Sequence, residues 1–173
     1  MAPLDVLLRE TLHSRKSPAE KQAQFYGPIC EPAHRTSVQV YTDGSCFDNG
    51  GPNARAGAGV YFGPGNENNA SIRVTGDQSN NRGELLAILY TLYTVPANRN
   101  LTIYSDSQLS IRSIVYWAPR HADSGWKCAN SDLLQDIVSW IKYRTAPLRF
   151  VYVRAHAGNS HNDAADEKAK MGA

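Results

Sequence analysis

The sequence predicts an α/β fold in which a five-stranded mixed sheet carries helices on its faces. Three observations lead there. Three strand-like runs follow one another with short Gly/Pro/Asn-rich turns between them, the apolar positions then alternate between helical and strand periodicity, and 173 residues at 42% apolar content suffice for one well-formed core.

The first predicted strand is Val38 to Thr42, the second Gly57 to Phe62 and the third Ser71 to Thr75. Their short connections make an antiparallel meander. A helix from about Asn81 to Tyr93 comes next, with Leu85, Leu86, Ile88, Leu89 and Leu92 at helical spacing and Ser79 or Asn80 placed to cap it. Leu101 to Ser105 is the fourth strand. Gln108 to Trp117 has helical spacing up to Pro119, which must bend or interrupt it. Asp132 to Lys142 is the next helix, capped by Ser131, with Leu133, Leu134, Ile137, Val138 and Ile141 on its apolar face. Leu148 to Val153 gives the fifth strand, and Asn162 to Met171 the last helix. The order β-β-β-α-β-α-α-β-α adds crossover-connected strands to a meander, hence the mixed sheet. Residues 1–37 differ in character: Val6-Leu7-Leu8 and Leu12 suggest a short amphipathic helix, and Ser17-Pro18, Gly27-Pro28 and Pro32 punctuate the remainder of the segment. The chain therefore divides into an N-terminal arm or linker, 1–37, and a domain, 38–173.

Composition narrows the class. No stretch approaches the roughly 20 consecutive apolar residues of a membrane helix, so no membrane partner is expected. The N-terminus lacks an apolar targeting core, and Asp5 and Glu10 count against a mitochondrial presequence. The expected location is intracellular, in cytoplasm or nucleus, with an organelle left open. Cys30, Cys46 and Cys128 show neither disulfide nor zinc spacing, which suits a reducing compartment. The net charge is +2. From Val38 onward there are 13 Lys and Arg against 12 Asp and Glu, and if four acids are neutralised by metal the rest becomes mildly basic. Such a surface permits phosphate binding without requiring it.

Four acids stand out at predicted element boundaries: Asp43 in Tyr41-Thr42-Asp43-Gly44-Ser45, Glu84 in Asn80-Asn81-Arg82-Gly83-Glu84, Asp106 in Tyr104-Ser105-Asp106-Ser107-Gln108, and Asp166 in Asn162-Asp163-Ala164-Ala165-Asp166. Each alone has an ordinary explanation. Asp106 can cap a helix, Glu84 and Asp166 can complement helix dipoles, and Asp43 can belong to a turn. Together, in a sheet whose ligands gather at strand ends, they form a carboxylate set suited to divalent metal.

In this order the motifs resemble the type 1 ribonuclease H family, which cuts the RNA strand of RNA–DNA hybrids. The resemblance covers Val38 to the C-terminus and rests on the four acidic motifs, on Arg55-Ala56-Gly57-Ala58-Gly59-Val60-Tyr61, and on His156-Ala157-Gly158 ten positions before Asp166. It implies a ribonuclease H-like fold and a catalytic set of Asp43, Glu84, Asp106, His156 and Asp166. The four acids would hold two magnesium ions, with manganese as a possible substitute, and His156 would assist proton transfer or product release. Products would carry 5′-phosphate and 3′-hydroxyl ends. The implied substrate contacts are Ser45, Cys46, Asn49, Asn80 and Gln108 toward ribose hydroxyls, Ser79 and Asn130 toward a DNA phosphate, and Trp117 against DNA sugars.

The sequence also departs from the family. The segment Trp117 to Lys127 stands where a basic protrusion is common, but Arg120 and Lys127 are its only fixed cations, and Asp77 stands where some relatives have a phosphate-gripping arginine. The expectation is intact chemistry with weak intrinsic hybrid binding. The arm would then tether a monomeric domain to an upstream polymerase or binding module. Two alternatives are a non-catalytic nucleic-acid-binding or scaffolding domain, against which the complete acid set argues, and a resolvase or integrase, against which the Asn80–Glu84 block and the three-strand opening argue.

Overall fold

The computed structural model describes residues 17–28, 36–155 and 157–173. The expected helix near Val6 to Leu12, Pro32 and His156 lie outside the described residues. Strands β1 (Val38–Phe47), β2 (Arg55–Tyr61), β3 (Ala70–Arg73), β4 (Leu101–Ser105) and β5 (Leu148–Tyr152) form one sheet in the order β3-β2-β1-β4-β5. β1, β2 and β3 are antiparallel neighbours, and β4 and β5 join in parallel. The expected mixed sheet is thus present, with its meander first.

Helix α1 (Pro18–Tyr26) precedes the sheet, and α2 (Asn80–Thr94) lies between β3 and β4. After β4 come α3 (Gln108–Arg112), a π-helical turn (Ser113–Trp117), α4 (Ala118–Asp123) and α5 (Ser131–Tyr143); α6 (Ser160–Gly172) closes the chain. Alternation along β1 puts Val40, Thr42 and Gly44 on one face and Tyr41, Asp43 and Ser45 on the other. The first face builds the main core with α2 and α5: Val40, Ala58, Val60, Ile88, Leu92, Ile103 and Ile137 are all buried there. The second face receives α6. Close approach needs glycine on both sides. A Cβ on Gly44 would stand 2.3 Å from the Glu84 backbone nitrogen, and one on Gly59 would stand 2.0 Å from the Ala165 carbonyl oxygen.

Several boundaries differ from expectation, each for a local reason. β1 continues to Phe47, so Asp43 sits mid-strand; Gly44 is there to admit α2, not to make a turn. Ser131 is the first residue of α5 and does not cap it, because Asn130 takes the N-cap position in the left-handed region, φ 53°. Ser17-Pro18 starts a helix: the Ser17 side chain accepts from the Glu20 N–H, and the Glu20 carboxylate accepts from the Ser17 N–H, completing a capping box ahead of a proline in the first turn. Pro119 lies in the first turn of α4, and a π-helical turn, Ser113–Trp117, precedes it.

Candidate active site

Asp43 is carried to the centre of the sheet by β1 and is 6% exposed. Its Oδ1 accepts from the Gly44 N–H at 2.8 Å. Glu84 is the fifth residue of α2, too deep to be a first-turn acid, and it faces inward rather than outward, 3% exposed. The close Gly44–Gly83 contact brings it there. Asp106 follows β4 directly, and it is not the cap of the next helix. Ser107 has that role, its Oγ accepting from the Ser110 N–H, which leaves the Asp106 carboxylate free to turn toward the sheet.

One carboxylate oxygen from each of Asp43, Glu84 and Asp106 lies within 4.8 Å of the others. Burial, and then the Asp106 charge beside it, push the Asp43 carboxyl up to about 7, against lowering hydrogen bonds from Glu84 and the Gly44 N–H. Glu84 is pushed well above the carboxylate range, chiefly by burial and then by the charges of Asp43 and Asp106. Both shifts favour the protonated carboxyl. Glu84 Oε2 is buried without a hydrogen-bond partner among the described residues. A buried carboxylate oxygen left so is costly unless a cation supplies what the protein does not.

Asp106 is oriented by Asn162, whose Nδ2 donates to its Oδ2 at 3.1 Å. Asn162 is 2% exposed at the start of α6, a helix capped by Asn159. It is a site residue not anticipated from the sequence. Its four-residue spacing before Asp166, which puts both on one helix face, is the signal that could have marked it. Asp166 stands in the second turn of α6, not at its start, and the cluster of three closes without it. Lys170 Nζ donates to Asp166 Oδ2 at 2.6 Å, while the Asp166 charge still adds to the upward shift of Asp43. α6 is further fixed by His161, whose ring stacks on Tyr41 with centroids 5.2 Å apart, and Tyr41 in turn stacks on Tyr104 at 4.5 Å.

A family model for ribonuclease H matches residues 35–173. The chain belongs to the ribonuclease H family. Among its relatives, ribonuclease H1 of Rattus norvegicus is 31% identical across 95% of this chain and 64% of its own length. That of Homo sapiens is 33% identical across 90% and 60%. Ribonuclease HI of Haemophilus ducreyi is 33% identical across 79% of this chain and 90% of its own length. The chain thus spans under two thirds of the two mammalian relatives and nearly all of the bacterial one. Two solved structures share the fold. A foamy viral protease-reverse transcriptase in complex with double-stranded DNA superposes with a TM-score of 0.64 at 20% identity, covering 82% of this chain and 97% of that one. LC9-RNase H1, a type 1 ribonuclease H with the type 2 active-site motif, gives 0.60 at 22%, covering 80% and 73%.

For a ribonuclease H the donor set is suitable. Three clustered carboxylates offer hard oxygen ligands to a divalent cation, and the orphaned Glu84 oxygen is a position such an ion would satisfy. The residues expected to meet substrate are distributed unevenly. Ser45 and Cys46 lie half-buried on β1, and Gln108 opens α3. Asn49 and Asn80 are brought together, the Asn80 N–H donating to Asn49 Oδ1 at 3.2 Å. Ser79 is committed to capping α2, where its Oγ accepts from the Arg82 N–H. Asn130 Oδ1 accepts from Arg82 Nη1 at 3.3 Å, beside a two-pronged Arg82–Asp132 pair. Trp117 ends the π-helical turn with 40% of its surface exposed, next to the more exposed Tyr116.

Proposed function

We propose that this protein is an endoribonuclease that hydrolyses the RNA strand of RNA–DNA hybrids, leaving 5′-phosphate and 3′-hydroxyl ends. The observation that carries the reading is the buried Asp43–Glu84–Asp106 cluster, with one oxygen unpartnered among the described residues, inside a ribonuclease H fold. By resemblance to the family, Asp43, Glu84, Asp106 and Asp166 would together hold two ions. Two magnesium ions, or manganese in their place, would supply the charge that activates water and stabilises the leaving oxygen. Asn162 keeps Asp106 turned toward the cluster. His156 would handle a proton or assist product release, by resemblance to the family.

Substrate would lie across the Asn49–Asn80 pair and Gln108 on the RNA side and across Trp117 on the DNA side. Few cations flank Trp117, so binding would be weak and only modestly salt-dependent. Residues ahead of the domain would join it to a polymerase or a binding module.

The test is incubation of labelled hybrid, duplex DNA and duplex RNA with magnesium, comparing wild type with Asp106→Asn. Cleavage confined to the hybrid and abolished by the substitution, with ligatable 3′-hydroxyl ends, is the expected result. Equal cleavage by the variant, or none by wild type, overturns the reading.

A further inference from the structure

We infer that Gln22 and Tyr26 of the arm helix are positioning residues for the substrate-facing π-helical turn, donating to the two carbonyls that the missing N–H of Pro119 could have served. In α register the N–H of residue 119 would donate to the Val115 carbonyl, and in π register to the Ile114 carbonyl. Pro119 has no N–H and supplies neither. Both of these carbonyls accept from α1 instead: Gln22 Nε2 donates to Val115 O at 3.0 Å, and the Tyr26 hydroxyl donates to Ile114 O. A single N–H would have served one of these carbonyls, and α1 donates to both.

The local sequence of α1 suits this task. Gln22 and Tyr26 are four residues apart and so lie on one helix face, and the small side chains of Ala19 and Ala23 line the same cavity beside them. The capping box at Ser17 and Glu20 fixes the start of the helix, and Lys142 of α5 stands over the Phe25 ring, 4.1 Å from its centroid. Burial raises the Tyr26 hydroxyl far above its ordinary range, so it remains a donor at any physiological pH. The turn held this way ends in Trp117 and Tyr116, the exposed aromatics beside the proposed DNA track. A π-helical turn with two unsatisfied carbonyls would shift or fray, and Trp117 would shift with it. The arm thus has a structural task within the domain whatever lies upstream of it.

The inference rests on Trp117 meeting the substrate, so its test has an arm independent of activity. In the full chain, Gln22→Met and Tyr26→Phe together remove both donors and keep the packing. The expected result is a rise in KM for hybrid of about 2- to 10-fold per lost hydrogen bond, with kcat within about twofold. Amide exchange across residues 113–118 should accelerate in parallel. Pro119→Ala restores one N–H, and in that background the same pair should raise KM by less than in the wild type, as for one lost bond, about 2- to 10-fold. Unchanged exchange in the double variant overturns the inference, as does a loss falling on kcat alone or a failure of Pro119→Ala to rescue. If exchange accelerates and is rescued while KM holds, the substrate role falls. If wild type cleaves no hybrid, the proposed function falls, and the exchange arm still decides whether α1 holds the turn.

Discussion

Removing the central acid should make the metal-free protein more stable while abolishing its activity. Asp43 titrates near 7 in the folded chain against an ordinary value of 3.8, with burial the largest cause. A carboxyl raised on folding contributes stability that is fully present below pH 3.8 and is lost as pH rises through about 7, because the unfolded chain ionises first. Relative to a side chain that does not titrate, the penalty works out at about 2 kcal/mol at pH 5 and about 4 kcal/mol at pH 8. Asparagine keeps the shape and the oxygen that accepts from the Gly44 N–H, so Asp43→Asn isolates the charge. Urea denaturation followed by circular dichroism, in chelator and at pH 5 to 8, should show the variant's advantage widening by about 2.5 kcal/mol across that window. Magnesium should then narrow or reverse the gap at pH 8 by stabilising the wild type alone. A gap independent of pH, or a variant less stable than wild type at pH 8, would refute the reasoning.

Asn162→Ala should lower hybrid cleavage by about 10- to 100-fold, as for loss of a group that orients a ligand, and steady-state rates at saturating magnesium will show it. Gly59→Ala should destabilise the fold by about 3 kcal/mol in urea melts, because the added Cβ meets helix backbone at 2.0 Å and α6 must move away from β2. Lys170→Met should lower the magnesium concentration for half-maximal cleavage several-fold, since it frees Asp166 from its 2.6 Å partner and removes a cation whose field also reaches Asp43. An unchanged magnesium profile would mean that Lys170 leaves Asp166 at no cost.

The part of the fold legible in the sequence is the part written in short range. Turn residues separate the three strands of the meander, and helical spacing marks α2 and α5, which together imply the mixed sheet. The acids are legible because they sit in motifs of a few residues each. What escapes depends on contacts between distant segments. Gly44 reads as a turn glycine because the helix that requires it begins 36 residues later, at Asn80. The π-helical turn cannot be anticipated from Pro119 alone, because the donors that make it tolerable lie 93 and 88 residues away from the carbonyls they meet. The start of α1 is different, since Ser17-Pro18-Ala19-Glu20 is a local capping box with proline in the first turn, and only the density of prolines around it makes the segment read as a linker.

A cluster of buried acids opposes folding, so the elements that carry it must be fastened by interactions that do not depend on the site. Each one is. β1 is central, with β2 and β4 on either side and the core beneath Val40. α2 is held by its apolar face, by the glycine contacts with β1 and β2, and by the Arg82–Asp132 pair linking it to α5. α6 is seated on Gly57 and Gly59 and pinned by the His161–Tyr41 stack. The elements that bring the carboxylates together are therefore fixed by contacts outside the site. Because burial and mutual repulsion raise the Asp43 and Glu84 carboxyls, a cation bound there would compete with protons. Affinity should accordingly rise with pH up to the range in which Asp43 ionises, so the repulsion that destabilises the empty fold is what makes the site select for charge.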